Sequence, residues 1–223
     1  MNGIRGSLQP GTLLIIACVV GVFIAAAVMA FRSGRKHAKA VEEFAQARGW
    51  TYSRTDAQGL AAKVERLFPE ETFSLDNIMT VESGERNVFL FDCGYNYREY
   101  RRGRRFGTAC MIESDRFRSV GSPVEIIART WVDEKLLSRQ VEMGNTEFAR
   151  NFIVLSKDTA SAAKTVGESM QAVLVEHMKT PLYYPVRIAL GTSGAVLLTG
   201  YTGERERWLD LVALARRIEA TLR

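Results

Sequence analysis

The chain has 223 residues, a formal net charge of +5 and three cysteines. Its positive charge is concentrated in residues 32–39 and 98–105, which argues against a general nucleic-acid binder with a broad basic surface. Three cysteines without a CxxC pair are too few for a disulfide framework and lack zinc or dithiol redox spacing. We therefore expect no metal, no cofactor and no nucleic-acid partner.

Residues 11–31 form an uncharged stretch between a short tail, 1–10, and a basic flank. As a helix this stretch would be about 31 Å long, which matches the roughly 30 Å hydrocarbon core of a bilayer. It is also longer than the apolar region of about 7–15 residues in a signal peptide. The sequence therefore predicts a transmembrane helix over 11–31.

A cleaved signal peptide and a lipoprotein signal are two other interpretations of this stretch. Val28–Ala30 would suit signal peptidase, and Ile15–Cys18 is similar to a lipobox. The apolar run, however, continues for a dozen residues past Cys18, and four cations follow it directly as a stop-transfer flank: Arg32, Arg35, Lys36 and Lys39. This pattern favours a permanent single-pass anchor over a cleaved signal or a lipoprotein.

The distribution of cations around the anchor predicts its orientation. The amino-terminal side offers Arg5 and the α-amino group, whereas the carboxyl-terminal side offers the four cations of residues 32–39. The more basic flank stays in the cytoplasm. We therefore expect a non-cytoplasmic tail at 1–10, a basic juxtamembrane amphipathic helix at 32–49 and a cytoplasmic domain at 50–223, held at the inner membrane.

The domain at 50–223 shows mainly period-two patterns with a few helical segments. Hairpins are predicted at 78–95, 87–114 and 186–201, and helices follow the capping residues Asp56 and Asp158. A last amphipathic helix is expected over Glu204–Leu222. The sequence predicts an α+β fold with a mainly antiparallel sheet and helices packed on one side.

The hairpin 87–114 allows a prediction of its register. If its turn is centred between Arg101 and Arg102, Phe91 faces Ile112 and Cys93 falls opposite Cys110. In a reducing cytoplasm these cysteines would be small buried residues. A disulfide between them would be possible only if the domain were extracytoplasmic.

The loop of this hairpin carries five arginines and two tyrosines within Tyr97–Arg105. Guanidinium groups bind phosphates well, and each cation near an anionic leaflet is worth about 1 kcal/mol. A solvated tip that prevents edge-to-edge aggregation is the simpler explanation. We predict membrane-surface contact by the cations of residues 32–39 and by Arg98, Arg101, Arg102, Arg104 and Arg105.

Candidate catalytic residues are few. Asp92 and Glu113, expected on neighbouring strands, could form an acid/base pair, and His177 lies in a predicted helix. The glycines of Gly191–Gly200 lie between two strands, so they indicate a turn rather than a phosphate-binding loop. No catalytic motif is found, and we predict that the chain is not an enzyme. A hydrolase-like or envelope-processing enzyme using Asp92, Glu113 and His177 is the alternative.

Several segments together resemble a widespread family of bacterial membrane-anchored proteins of unknown function. They are VFLFDCGYNY, GTACMIES, SPVEI and NTEFARNFIVLSKD, within residues 40–220. The resemblance implies the fold and the anchoring, and it implies no catalytic residue. Our hypothesis is a non-catalytic interaction module at the cytoplasmic face of the inner membrane, with lipid and an unidentified membrane or cytoplasmic protein as partners. A periplasmic domain of an envelope complex is the remaining alternative.

Overall fold

The structure is a computed structural model that describes residues 10–97, 105–131, 139–144, 146–180 and 184–222. For residues 10–17 and for Ile24, Ala27, Ala30, Phe31, Tyr97, Trp131 and Thr146 it describes the backbone only. The chain divides into two compact units, Met1–Phe44 and Ala45–Arg223.

The first unit is dominated by one helix, α1, which runs over Pro10–Gln46. Its 37 residues correspond to a length of about 55 Å. The segment predicted as a juxtamembrane helix, 32–49, is continuous with the uncharged segment 11–31 as far as Gln46. The helix ends at Gln46, and Gly49, three residues further on, adopts a φ of 70°, as glycine commonly does after a helix. Within the described part of the chain, no helix meets the length and apolarity required of a membrane span.

The second unit is an α+β domain, as predicted. Its strands are β1 Thr51–Thr55, β2 Glu71–Glu82, β3 Arg86–Tyr97, β4 Arg105–Ser114, β5 Val124–Ala128, β6 Gln140–Val141, β7 Phe152–Leu155, β8 Arg187–Gly191 and β9 Gly194–Gly200. Its helices are α2 Leu60–Leu67, α3 Thr146–Asn151, α4 Thr159–Thr165, α5 Glu168–Met178 and α6 Arg205–Thr221. Asp158 caps α4 by accepting a hydrogen bond from the Ser161 amide. The continuous helix predicted after Asp158 is instead broken between α4 and α5, at Val166 and Gly167.

The described strands form one nine-stranded sheet in the order β1-β2-β3-β4-β9-β8-β5-β7-β6. The strand pairs are antiparallel, which confirms the predicted sheet type. Tight turns join β2 to β3 and β8 to β9, with positive φ at Gly84 and Gly194. Three of the eight described strand pairs, β2–β3, β3–β4 and β8–β9, are local hairpins, which short connections allow between antiparallel neighbours.

Helices cover both faces of the sheet, so the prediction of helices on one side is wrong. On one face, Leu60, Val64 and Leu67 of α2 join a core cluster with Phe91 and Met111. On the other face lies α6, which contacts β3, β4 and β9, with α5 packed beside it. The central strands carry apolar residues on both sides, and a sheet of this kind must be covered on both sides.

The register predicted for the β3–β4 hairpin is also wrong, by three residues. Phe91 faces Ala109 rather than Ile112, and Cys93 faces Gly107. Because both faces of these strands are buried, an inward–outward alternation does not distinguish one register from another. Cys93 belongs to the cluster beneath α2, whereas Cys110 faces Leu90 on the α6 side. The two thiols lie on opposite faces, so they cannot form a disulfide.

The register pair Gly107 and Gly200 allows a matched test of the packing between β4 and β9. A Cβ atom on Gly107 would lie 2.4 Å from the Thr199 carbonyl oxygen, whereas one on Gly200 would meet nothing within 4 Å. We expect Gly107→Ala to lower the free energy of unfolding by about 1–3 kcal/mol, as overpacking does. Gly200→Ala should change it by less than about 0.5 kcal/mol.

Denaturant unfolding of the full chain in detergent micelles, followed by tryptophan fluorescence, measures both variants. Equal stabilities of the two alanine variants would contradict the pairing of Gly107 with Gly200 and with it the register of β4 against β9.

Candidate functional site

The juxtamembrane cations predicted to contact the membrane share one face of α1. Arg32, Arg35, Lys36 and Lys39 are exposed, and their spacing of three and four residues places them side by side on a helix. Lys39 also lies 3.7 Å from Glu43, one turn further on. The helix thus presents a basic strip directly after the uncharged segment.

Of the five loop arginines, only Arg105 is described. It opens β4 opposite Tyr95 and is exposed. The other four, Arg98, Arg101, Arg102 and Arg104, lie outside the described residues, so their predicted membrane contact stays a prediction.

The three candidate catalytic residues are not brought together. Asp92 accepts hydrogen bonds from Asn77 Nδ2 at 2.9 Å and from the Thr108 hydroxyl at 3.2 Å. It therefore lies in a polar row on the α6 face. Glu113, expected beside Asp92 on the same face, is on the α2 face and forms an ion pair of 2.9 Å with Lys63.

His177 is buried in α5, away from both carboxylates. Its Nδ1 atom lies 3.7 Å from Asp210 Oδ2, and its Nε2 atom lies 3.4 Å from the Tyr184 carbonyl oxygen. Burial lowers the pKa of His177, and this effect exceeds the opposing influence of Asp210. A neutral histidine packed edge-on against the Tyr184 ring, at 5.0 Å between centroids, suits a structural role.

Asn77, which supports Asp92, has an unusual backbone. Its φ of 52° lies in the left-handed region, which non-glycine residues seldom adopt. The register of β2 with β3 shifts between Asp76 and Met79, so Asn77 occupies a β-bulge. Tyr52 donates a hydrogen bond of 2.9 Å to its side-chain oxygen, and the resulting row links β1, β2, β3 and β4.

A buried ion cluster beneath α2 was not predicted. Arg187 of β8 forms ion pairs with Glu71 of β2 and Glu125 of β5. Its guanidinium carbon lies 4.6 Å from the centre of the Phe68 ring. Glu71 is fully buried, and its Oε2 atom accepts no hydrogen bond from any described residue.

The described side chains of the domain form neither a metal site nor a reactive thiol. In the described ranges, no group of three or more His, Cys, Asp or Glu side chains could hold a metal ion. Burial raises the pKa of Cys110 to about 12 and raises that of Cys93 as well. Both thiols are therefore poor nucleophiles at neutral pH.

The ion cluster predicts a pH-dependent stability. Burial raises the pKa of Glu71 above its ordinary value of 4.5, although Arg187 opposes the shift. The folded chain thus holds this proton to a higher pH than the unfolded chain does. The contribution of Glu71 to the free energy of unfolding is full below pH 4.5 and is lost as the pH rises through the folded-state pKa.

As the pH rises from 4 to 8, the free energy of unfolding of Glu71→Gln should therefore increase relative to that of the wild type. The increase should be about 1.4 kcal/mol for each unit by which folding raises the pKa of Glu71. Denaturant unfolding of the full chain at both pH values measures this gain. Glu70→Gln removes an exposed carboxylate one residue away, 49% of whose side chain is accessible, and serves as the control. A pH-independent difference between wild type and Glu71→Gln would contradict the assignment.

Comparison with known proteins adds a likeness of fold. No protein-family model matches the chain, and no curated protein matches it either. The chain is similar to the crystal structure of the mycobacterial trehalose monomycolate transport factor A, TtfA, with a TM-score of 0.57 and 15% sequence identity. The similarity covers 85% of this chain and 96% of that chain; at this identity it concerns the fold alone.

Proposed function

We propose that this chain is a single-pass inner-membrane protein whose α+β domain is a non-catalytic interaction module serving the cell envelope. The domain lies at the cytoplasmic surface of the membrane and acts by holding a membrane or cytoplasmic partner. The likeness to a transport factor supports a role in moving or positioning an envelope component.

One observation supports the proposal of a membrane anchor. A single helix, Pro10–Gln46, joins the uncharged residues 11–31 to the exposed cations of residues 32–39. In lipid, a helix satisfies every backbone amide within the segment. The cations that follow would bind headgroup phosphates and resist transfer across the bilayer.

Two features support a non-catalytic role. Asp92, Glu113 and His177 lie in separate environments, each with polar contacts of its own. Their arrangement offers no acid/base pair within reach of one substrate atom. The resemblance to a membrane-anchored family without established activity is consistent with this proposal.

The anchor is tested by placing charge at its centre. Val20→Lys with Phe23→Lys puts two cations near the middle of residues 11–31, at a cost of about 2.5–3.5 kcal/mol each on insertion scales. We expect most of the full-length double variant to leave the carbonate-resistant membrane fraction. Val20→Leu with Phe23→Leu should remain there, and equal retention of both variants would rule out the anchor.

The orientation is tested with a reporter fused after Arg223. We expect a reporter that matures only in the cytoplasm to be active in the wild type, because the basic flank is retained there. Replacing Arg32, Arg35, Lys36 and Lys39 by Gln, together with Leu8→Lys and Gln9→Lys, should place the reporter outside. Exchanging Lys and Arg at the same four positions should change nothing. A reporter of this kind that stays inactive in the wild type would support the periplasmic alternative instead.

A further inference from the structure

The exposed apolar side chains of the α+β domain are concentrated at few positions. Among the described residues outside α1, the large hydrophobic side chains that are exposed belong to Phe106, Tyr201 and Leu209. Phe106 is 61% accessible and Tyr201 is 52% accessible. A single exposed ring is ordinary, whereas exposed rings that lie next to each other mark a candidate contact with a partner or a membrane.

The sheet brings Phe106 and Tyr201 together. Gly107 of β4 faces Gly200 of β9, and the pairing of these antiparallel strands places Phe106 and Tyr201 at the next step beyond this pair. Phe106 lies on the α6 face because it is two residues before Thr108, whose hydroxyl donates a hydrogen bond to Asp92 there. Asp92 also raises the pKa of Tyr201, so Tyr201 lies near the same face. The two rings thus stand at the end of the sheet, where β4 begins and β9 ends.

The chemistry of this sheet end matches that of a membrane interface. Phenylalanine and tyrosine rings favour the headgroup level of a bilayer. Arg105, which precedes Phe106 at the same end of β4, is exposed and lies on the other face of the sheet, opposite Tyr95. Burial and Asp92 both raise the pKa of Tyr201, so its phenol stays neutral. Each oxygen of the Asp92 carboxylate accepts a hydrogen bond within the sheet, from Asn77 and from Thr108.

We infer that Phe106 and Tyr201 insert their rings into the headgroup region of an anionic leaflet while Arg105 binds lipid phosphate. This inference rests on the proposed function, because the anchor holds the domain beside the leaflet. It adds two aromatic rings to the predicted membrane contact, which consisted of cations alone. The positive charge of Arg105 complements the negative surface potential of that leaflet.

The test uses the full chain reconstituted into vesicles that contain phosphatidylglycerol, after Cys18→Ala. A polarity-sensitive NBD label is attached at Phe106→Cys or at Tyr201→Cys. The native Cys93 and Cys110 are buried and stay unlabelled. The control label is at Asp115→Cys, whose exposed side chain follows the opposite end of β4, about 30 Å away.

We expect nitroxide groups carried on the lipid headgroups to quench most of the fluorescence at positions 106 and 201, and little of it at position 115. The quenching should decrease when phosphatidylglycerol is replaced by phosphatidylcholine. Only chains that co-float with vesicles and resist carbonate are measured, so failure of the anchor is scored separately. In inserted chains, labels at 106 and 201 that are quenched no more than the label at 115 would overturn the inference and leave a protein partner as the occupant of this surface.

Discussion

The fold depends on covering both faces of four central strands. β3, β4, β9 and β8 lie side by side in the middle of the sheet, and their apolar residues point both ways. One helix alone would leave the opposite face in water, at a cost of about 25 cal/mol for each Å² of apolar surface. The chain therefore places α2 on one face and the pair α5 and α6 on the other.

This layering also explains where the buried charges lie. Arg187 is the first residue of β8. Its side chain lies in the α2 layer, where it pairs with carboxylates of two other strands. On the α6 side, Glu219 is buried and pairs with Arg86 at 3.0 Å. In both places a charge next to the apolar core is matched by an opposite charge, as burial requires.

The sequence predicted the elements better than their arrangement. Asp56 accepts hydrogen bonds of 2.7 Å from the amides of Leu60 and Ala61 at the start of α2, although the residue at the N-cap position is Gly59. The hairpins and the last helix are where the periodicity indicated. The two layers of helices could have been inferred from runs such as VFLF and TACMI, which are apolar at consecutive positions and so indicate strands buried on both faces. The register could not, because either register buries apolar side chains.

The candidate site shows the same limit. The cations of residues 32–39 form a strip on α1 because their spacing fixes their positions on a helix, which is local information. The ion cluster joins Glu71 and Arg187 across 116 positions of sequence, and nothing near either residue indicates the other. The proximity of Phe106 to Tyr201 likewise depends on the contact between β4 and β9.

The separation of Cys93 and Cys110 by the thickness of the sheet makes the two thiols independent indicators of local opening. A thiol reagent reaches Cys93 only when the layer containing α2 detaches, and it reaches Cys110 only when α6 lifts. Partial unfolding events expose different parts of a protein with different free energies. Alkylation rates at the two cysteines would therefore rank the two helical layers by the ease with which each one leaves the sheet.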